Sequence, residues 1–157
     1  GGDPALEKEF SEMLDKTIRD YRRKRLSARD YCERVRALAD DLEARRTGAD
    51  APEPIRGDAD AAAYYRLFLD DLARLVPDAD ERAHHATWLA ARTVATIRAH
   101  LIVDFWSNPD ARNALEDALD DLLFIELEAA LTVTLTEGQV DVLQRAIIAV
   151  ARERFPD

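Results

Sequence analysis

Apolar residues recur at helical spacing through most of the chain. Phe10, Met13, Leu14, Thr17, Ile18 and Tyr21 fall on one face of a first predicted helix. Tyr31, Val35, Leu38 and Leu42 repeat the pattern in a second. Ser27, with Asp30 three residues on, marks the start of that second helix, because the hydroxyl can accept a backbone N–H that the first turn leaves without a partner. So short a connection predicts an antiparallel hairpin. Thr47-Gly48 ends the second helix, and Ala51–Gly57, with two prolines, is a loop. Asp58 can cap a third helix, with Tyr64, Tyr65, Phe68, Leu72 and Leu75 turned inward, and Val76-Pro77-Asp78 breaks it. A fourth, from near Asp80, is expected to bury Trp88, Ala91, Ala95, Leu101 and Ile102.

The stretch from Ile102 to Leu123 carries the most information. An apolar helix ends in Asp104-Phe105-Trp106, the chain turns, and Asn108-Pro109 restarts it. Asn suits the cap, and Pro suits the first helical position because it has no N–H to lose there. These five residues read as a structural corner, not as a catalytic centre. The fifth helix presents Leu115, Ala118, Leu119, Leu122 and Leu123. Leu131–Leu135 alternates like a strand but has no second strand to pair with, so an extended connector is expected. Thr136 and Gln139 form a capping box before a sixth helix carrying Val140, Leu143, Ile147 and Val150, which Phe155-Pro156 stops. The fold expected is all-α: one bundle-like domain of about six helices over residues 1–157.

Composition agrees with a folded domain: 157 residues, 47% hydrophobic and 34% charged. Charge changes the picture more. The net charge is −10, yet residues 1–48 hold 12 Lys/Arg against 11 Asp/Glu, so the acidity belongs to the rest. A surface that acidic repels phosphate backbones, except at the run Arg22-Arg23-Lys24-Arg25. Cys32 is the only cysteine, which excludes an internal disulfide and suggests a reducing, cytoplasmic setting. No apolar run is long enough to span a membrane. The Gly1-Gly2 start suggests a fragment of a larger chain.

Candidate chemistry is thin. The pairs Asp40-Asp41, Asp70-Asp71 and Asp120-Asp121 sit on helices, where neighbours point about 100° apart and cannot share a pocket, so solvated faces explain them. Asp120 is the exception that could hold a donor. His84, His85 and His100 lack any tight ligand spacing, although His100 could reach Asp104. No phosphate-binding glycine loop or nucleophile elbow occurs, so no cofactor or metal site is expected and the chain by itself is not expected to be an enzyme. The basic turn Arg22–Arg29 could contact DNA, but acids interleave with it, and a solvated turn or a contact for an acidic partner suits it better.

Three blocks together resemble one family. The first is Phe10-Ser-Glu with Ile18 through Tyr31 and Leu38-Ala39, similar to that family's helical hairpin. The second is Asp60-Ala-Ala-Ala-Tyr-Tyr65 after a Pro-Glu loop. The third is Val103-Asp-Phe-Trp-Ser-Asn-Pro-Asp110 through Asp120-Asp-Leu-Leu123, with Ala151-Arg-Glu-Arg-Phe155 closing the last helix. In this order they resemble the C-terminal helical domain of the restriction (HsdR) subunit of type I restriction-modification enzymes. The resemblance implies a parent with an endonuclease domain and a DNA-translocating motor using ATP and Mg2+, all upstream of these residues. It also implies an assembly role: docking that subunit onto the methyltransferase and specificity subunits, with DNA reached through the whole complex. The contact surface expected here combines Arg22, Arg23 and Arg25 with later acids, Asp120 and Asp121.

Overall fold

A computed structural model describes residues 4–156, with side chains from Leu6 onward, so the Gly1-Gly2 start lies outside the described residues. Six helices follow one another: α1 (Pro4–Arg22), α2 (Ala28–Thr47), α3 (Ala59–Asp71), α4 (Ala79–His100), α5 (Pro109–Asp121) and α6 (Glu137–Arg154). α5 continues without a break through a π turn, Leu122–Glu126, into one more α segment, Leu127–Leu131. No described residue lies in a strand, and no helix among them is long and apolar enough to cross a membrane.

Local caps set the helix starts. Ser27, Asp58, Asp78 and Asn108 each accept the N–H three residues on, at 2.8–3.1 Å. Thr136 and Gln139 exchange reciprocal bonds of 3.2 and 2.8 Å. A cap of this kind contributes about 1 kcal/mol and depends on residues within one turn. α2 ends at Gly48, which is left-handed with φ of 77°. A Cβ there would also lie 2.9 Å from the Asp58 carbonyl oxygen, so glycine is required by conformation and by space.

One core joins α3 to α6. Tyr64 and Phe68 of α3, with Leu72 just past its end, meet Leu89, Val94 and Ile97 of α4, and Leu115, Leu119, Leu123 and Ile147 complete the interior. Small residues line the α3–α4 contact: Ala61, Ala62, Ala86 and Ala90 are all buried, and small side chains let helix axes approach closely. The Tyr64 hydroxyl donates to the Ile147 carbonyl at 2.7 Å and so ties α3 to α6 inside the core. Burial drives the phenol pKa upward, because a phenolate would have to be formed away from water. At the rim, Arg98 of α4 holds Asp58 at 3.0 Å and Asp60 at 3.2 Å. Arg154 of α6 reaches Asp60 at 2.8 Å. The N-terminus of α3 is thus clasped by the C-terminal ends of α4 and α6, which makes both helices antiparallel to it.

α4 buries a different face from the one its aromatic residue suggests. His85, Ala86, Leu89, Ala90, Thr93, Val94 and Ile97 point inward, whereas Trp88 and Ala91 are half-buried and Ala95 is exposed. Trp88 instead lies along the helix flank with the Arg92 guanidinium 5.8 Å from its ring centre, and Arg92 also pairs with Glu126 of the π turn. Leu101 is half-buried and Ile102 exposed, because the helix has ended at His100 and the chain turns out to solvent. Tyr65 and Val150 are half-buried and Leu75 is exposed, each at the margin of its stripe. Leu131 is still the last residue of the helix, and the connector begins after it: Thr132 adopts a left-handed φ of 56° that stops the helix, and Leu135 tucks into the core.

Candidate protein-docking surface

The first two helices stand apart from that core. No residue of α2 is buried, and the core includes no side chain from α1 or α2. Leu6 and Phe10 of α1 are buried, but at the base of the pair. There the Arg45 guanidinium lies 5.4 Å over the Phe10 ring and 3.6 Å from Glu9, while Arg66 of α3 donates to the Arg45 carbonyl at 3.4 Å. Arg45 opposite Glu9, and Tyr21 stacked on Tyr31 at 4.5 Å, show that α1 and α2 run antiparallel. The pair is an arm attached at one end.

The free end of the arm carries the basic turn. Lys24 takes a left-handed φ of 58°, its N–H donates to the Tyr21 carbonyl at 3.0 Å, and the Arg25 N–H donates to the Asp20 carbonyl at 2.9 Å. With Ser27 capping α2 and the two tyrosines stacked behind it, the turn is held from both sides. Arg22, Arg23, Lys24 and Arg25 are all exposed. None forms an ion pair among the described residues, and Arg29 is paired with Glu33 at 3.3 Å. A tight turn that projects four uncompensated cations favours an anionic surface opposite it.

The acidic half of the expected contact surface lies elsewhere. Asp120 on α5 is half-buried and accepts from Gln144 of α6 at 2.6 Å; the same amide donates to the Glu116 carbonyl at 3.1 Å. It does hold a donor, but one that locks α5 to α6. Burial raises its pKa most, and the charges of Asp141 and Asp117 raise it further. Asp121 is exposed. Nothing among the described residues bonds Asp120 or Asp121 to the basic turn. Gln144 carries no signal in the sequence beyond its place one turn after Val140 on α6.

The corner is built as a clamp. Phe105 is buried, and Trp106 meets it edge to face at 4.8 Å. The Trp106 indole N–H donates to the Phe155 carbonyl at 2.7 Å, and the Arg152 guanidinium covers the ring at 5.0 Å. Asp104 turns the chain with φ of 58°, Ser107 Oγ donates back to its carbonyl at 3.0 Å, and Asn108-Pro109 restarts the helix. Phe105 and Trp106 face the core and the end of α6, so the corner positions the chain.

The histidines do not converge. His100 Nδ1 lies 2.8 Å from the Thr96 carbonyl, not at Asp104, and buried His85 points Nε2 at Glu81, 3.9 Å away. Among the described residues no group of three or more His, Cys, Asp or Glu could hold a metal ion. Phe124 and Ile125 in the π turn are exposed, between buried Leu122-Leu123 and buried Leu127. No family model matches this chain, and neither does any curated protein or solved structure.

Proposed function

We propose that this domain is a protein-docking module, the C-terminal assembly domain of a type I restriction subunit. In that role it seats a DNA-translocating endonuclease subunit onto the methyltransferase and specificity subunits. The observation that carries the reading is the arm: two long helices with almost no share in the core, tipped by four exposed and unpaired cations. Twenty residues of helix without one buried side chain are expensive to keep ordered unless something outside the core uses them. The blocks at Ile18–Tyr31, Asp60–Tyr65 and Val103–Leu123 support the family assignment, and the corner in the third of them is a built structural element. Arg22, Arg23 and Arg25 are then the contact residues, facing an acidic patch of the partner. Asp120 serves the fold, and any ATP or Mg2+ chemistry belongs to the parent's motor.

A pull-down of the domain against the methyltransferase–specificity core, with a nonspecific duplex in parallel, tests this. Retention of the core, lost on reversing Arg22 and Arg23 to Glu, is the expected result. The same exposed cations favour a second reading, a helical DNA-binding module acting through Arg22–Arg29. Retention of the duplex alone, with affinity falling steeply as salt rises, would establish that reading and overturn the first.

A further inference from the structure

We propose that two copies of this chain pair through the flank of the α1–α2 arm, antiparallel and about a two-fold axis. A groove of about 520 Å³ runs between the two helices on one side of the arm. Its floor is Met13, Thr17, Ala37 and Leu38, and its rim is Lys16, Arg34, Asp20 and Asp41. Met13 is 43% exposed although it lies on the apolar stripe of α1, so the stripe is wider than the intramolecular contact can cover. Lys16, Asp20 and Arg34 form no side-chain ion pair among the described residues, and Asp41 has only a distant one, 3.8 Å from Arg45.

The charge pattern selects the occupant. The rim holds two cations and two anions, a balance that suits neither a strongly acidic nor a strongly basic partner and does not suit an anionic lipid surface. It suits itself. On α2, Arg34 and Asp41 are two turns apart on either side of Ala37-Leu38. A two-fold axis crossing α2 between Ala37 and Leu38 sets Arg34 of each copy opposite Asp41 of the other, and makes the same contact twice, as a closed dimer requires. Ala37 at the crossing point lets the helices approach. The same operation sets the two basic turns at opposite ends of the pair and keeps them apart.

Size sets the strength. Twenty residues of α2 are about 30 Å long, and two helices side by side are about 20 Å wide, so the flank offers about 600 Å² per copy. That is at the lower end of stable interfaces, so the dimer should be concentration-dependent.

Sedimentation equilibrium of the purified chain between about 1 µM and 1 mM reads the affinity directly. A reversible monomer–dimer equilibrium is expected. Arg34→Asp and Asp41→Arg should each weaken it by at least about tenfold, because each places two like-charge pairs in the interface. The double variant R34D/D41R should restore it, because the pairs are re-formed with their signs exchanged. Both residues are exposed, so the variants should fold, and circular dichroism verifies that. A chain that stays monomeric throughout overturns the proposal. So does a dimer indifferent to the single substitutions, or one that the double variant fails to restore.

Discussion

Replacing Trp106 with Ala should cost about 3–4 kcal/mol of stability, although the residue is only half-buried. An enclosed Trp buries about 150–250 Å², so roughly half of that, at about 25 cal/mol per Å², contributes about 2–3 kcal/mol. The hydrogen bond from its indole to the Phe155 carbonyl adds about 1 kcal/mol. The edge-to-face contact with Phe105 at 4.8 Å adds about 0.5–1 kcal/mol. These contributions overlap, so the loss should fall short of their sum. Trp106→Phe separates them. It removes the donor and keeps most of the ring, and should cost about 1–2 kcal/mol. Urea unfolding followed by circular dichroism measures both variants, and Trp88 remains as a fluorescent probe in each. A loss below about 1 kcal/mol for Trp106→Ala would refute the argument that this corner clamps the end of α6 to the start of α5. Equal losses for Ala and Phe would refute the division between ring and hydrogen bond.

Three further perturbations test other parts of the account. Gly48→Ala should cost about 1–3 kcal/mol, because φ of 77° and the Asp58 carbonyl 2.9 Å away both oppose a Cβ. Gly57→Ala, at φ of 85° but with nothing within 4 Å, should cost less, and thermal melts showing the reverse order would contradict the steric reading. Asp58→Asn keeps a cap but loses the charge facing Arg98. Burial opposes ionisation of Asp58, yet the Arg98 and Ala61 hydrogen bonds and the Arg98 charge outweigh it, so its folded pKa is lowered. The stability this contributes should be complete above about pH 4 and fade as pH falls through the lowered value. A wild-type advantage over Asp58→Asn that persists unchanged in acid would count against the ion pair. Asp120 is the opposite case, its pKa raised by burial and then by Asp141 and Asp117. Asp120→Asn should leave the domain slightly more stable at neutral pH, and that gain should vanish in acid where Asp120 is protonated anyway. A clear loss at pH 7 would show that the bond to Gln144 outweighs the repulsion.

The starts of α2, α3, α5 and α6 were legible in the sequence because caps are local. Ser27, Asp58, Asn108 and Thr136 act on backbone groups three residues away, so the residues that decide a boundary sit beside it. The corner was legible for the same reason, and the left-handed turn at Asp104 and the restart at Asn108-Pro109 lie within six residues. Faces were harder. α4 is rich in Ala and Thr, its apolar residues surround most of its circumference, and the one large aromatic, Trp88, pointed to the flank. The inner face, with Ala86, Leu89, Ala90, Val94 and Ile97 buried, was set by packing against α3, a requirement that involves two helices at once.

The sequence by itself determined six helical segments, the caps that start most of them, the hairpin connection of the first two and the uneven spread of charge, since each depends on neighbours along the chain. The end of α4 at His100 and the run of α5 on to Leu131 were not legible in it. Only the tertiary structure decided which helices make the core. It left α2 wholly outside, although its apolar residues repeat as regularly as those of α3. Periodicity shows that a helix has a face to bury, but not whether a partner within the same chain covers it. It also gave Asp120 to Gln144, because the distance between residues far apart in sequence is fixed by packing alone.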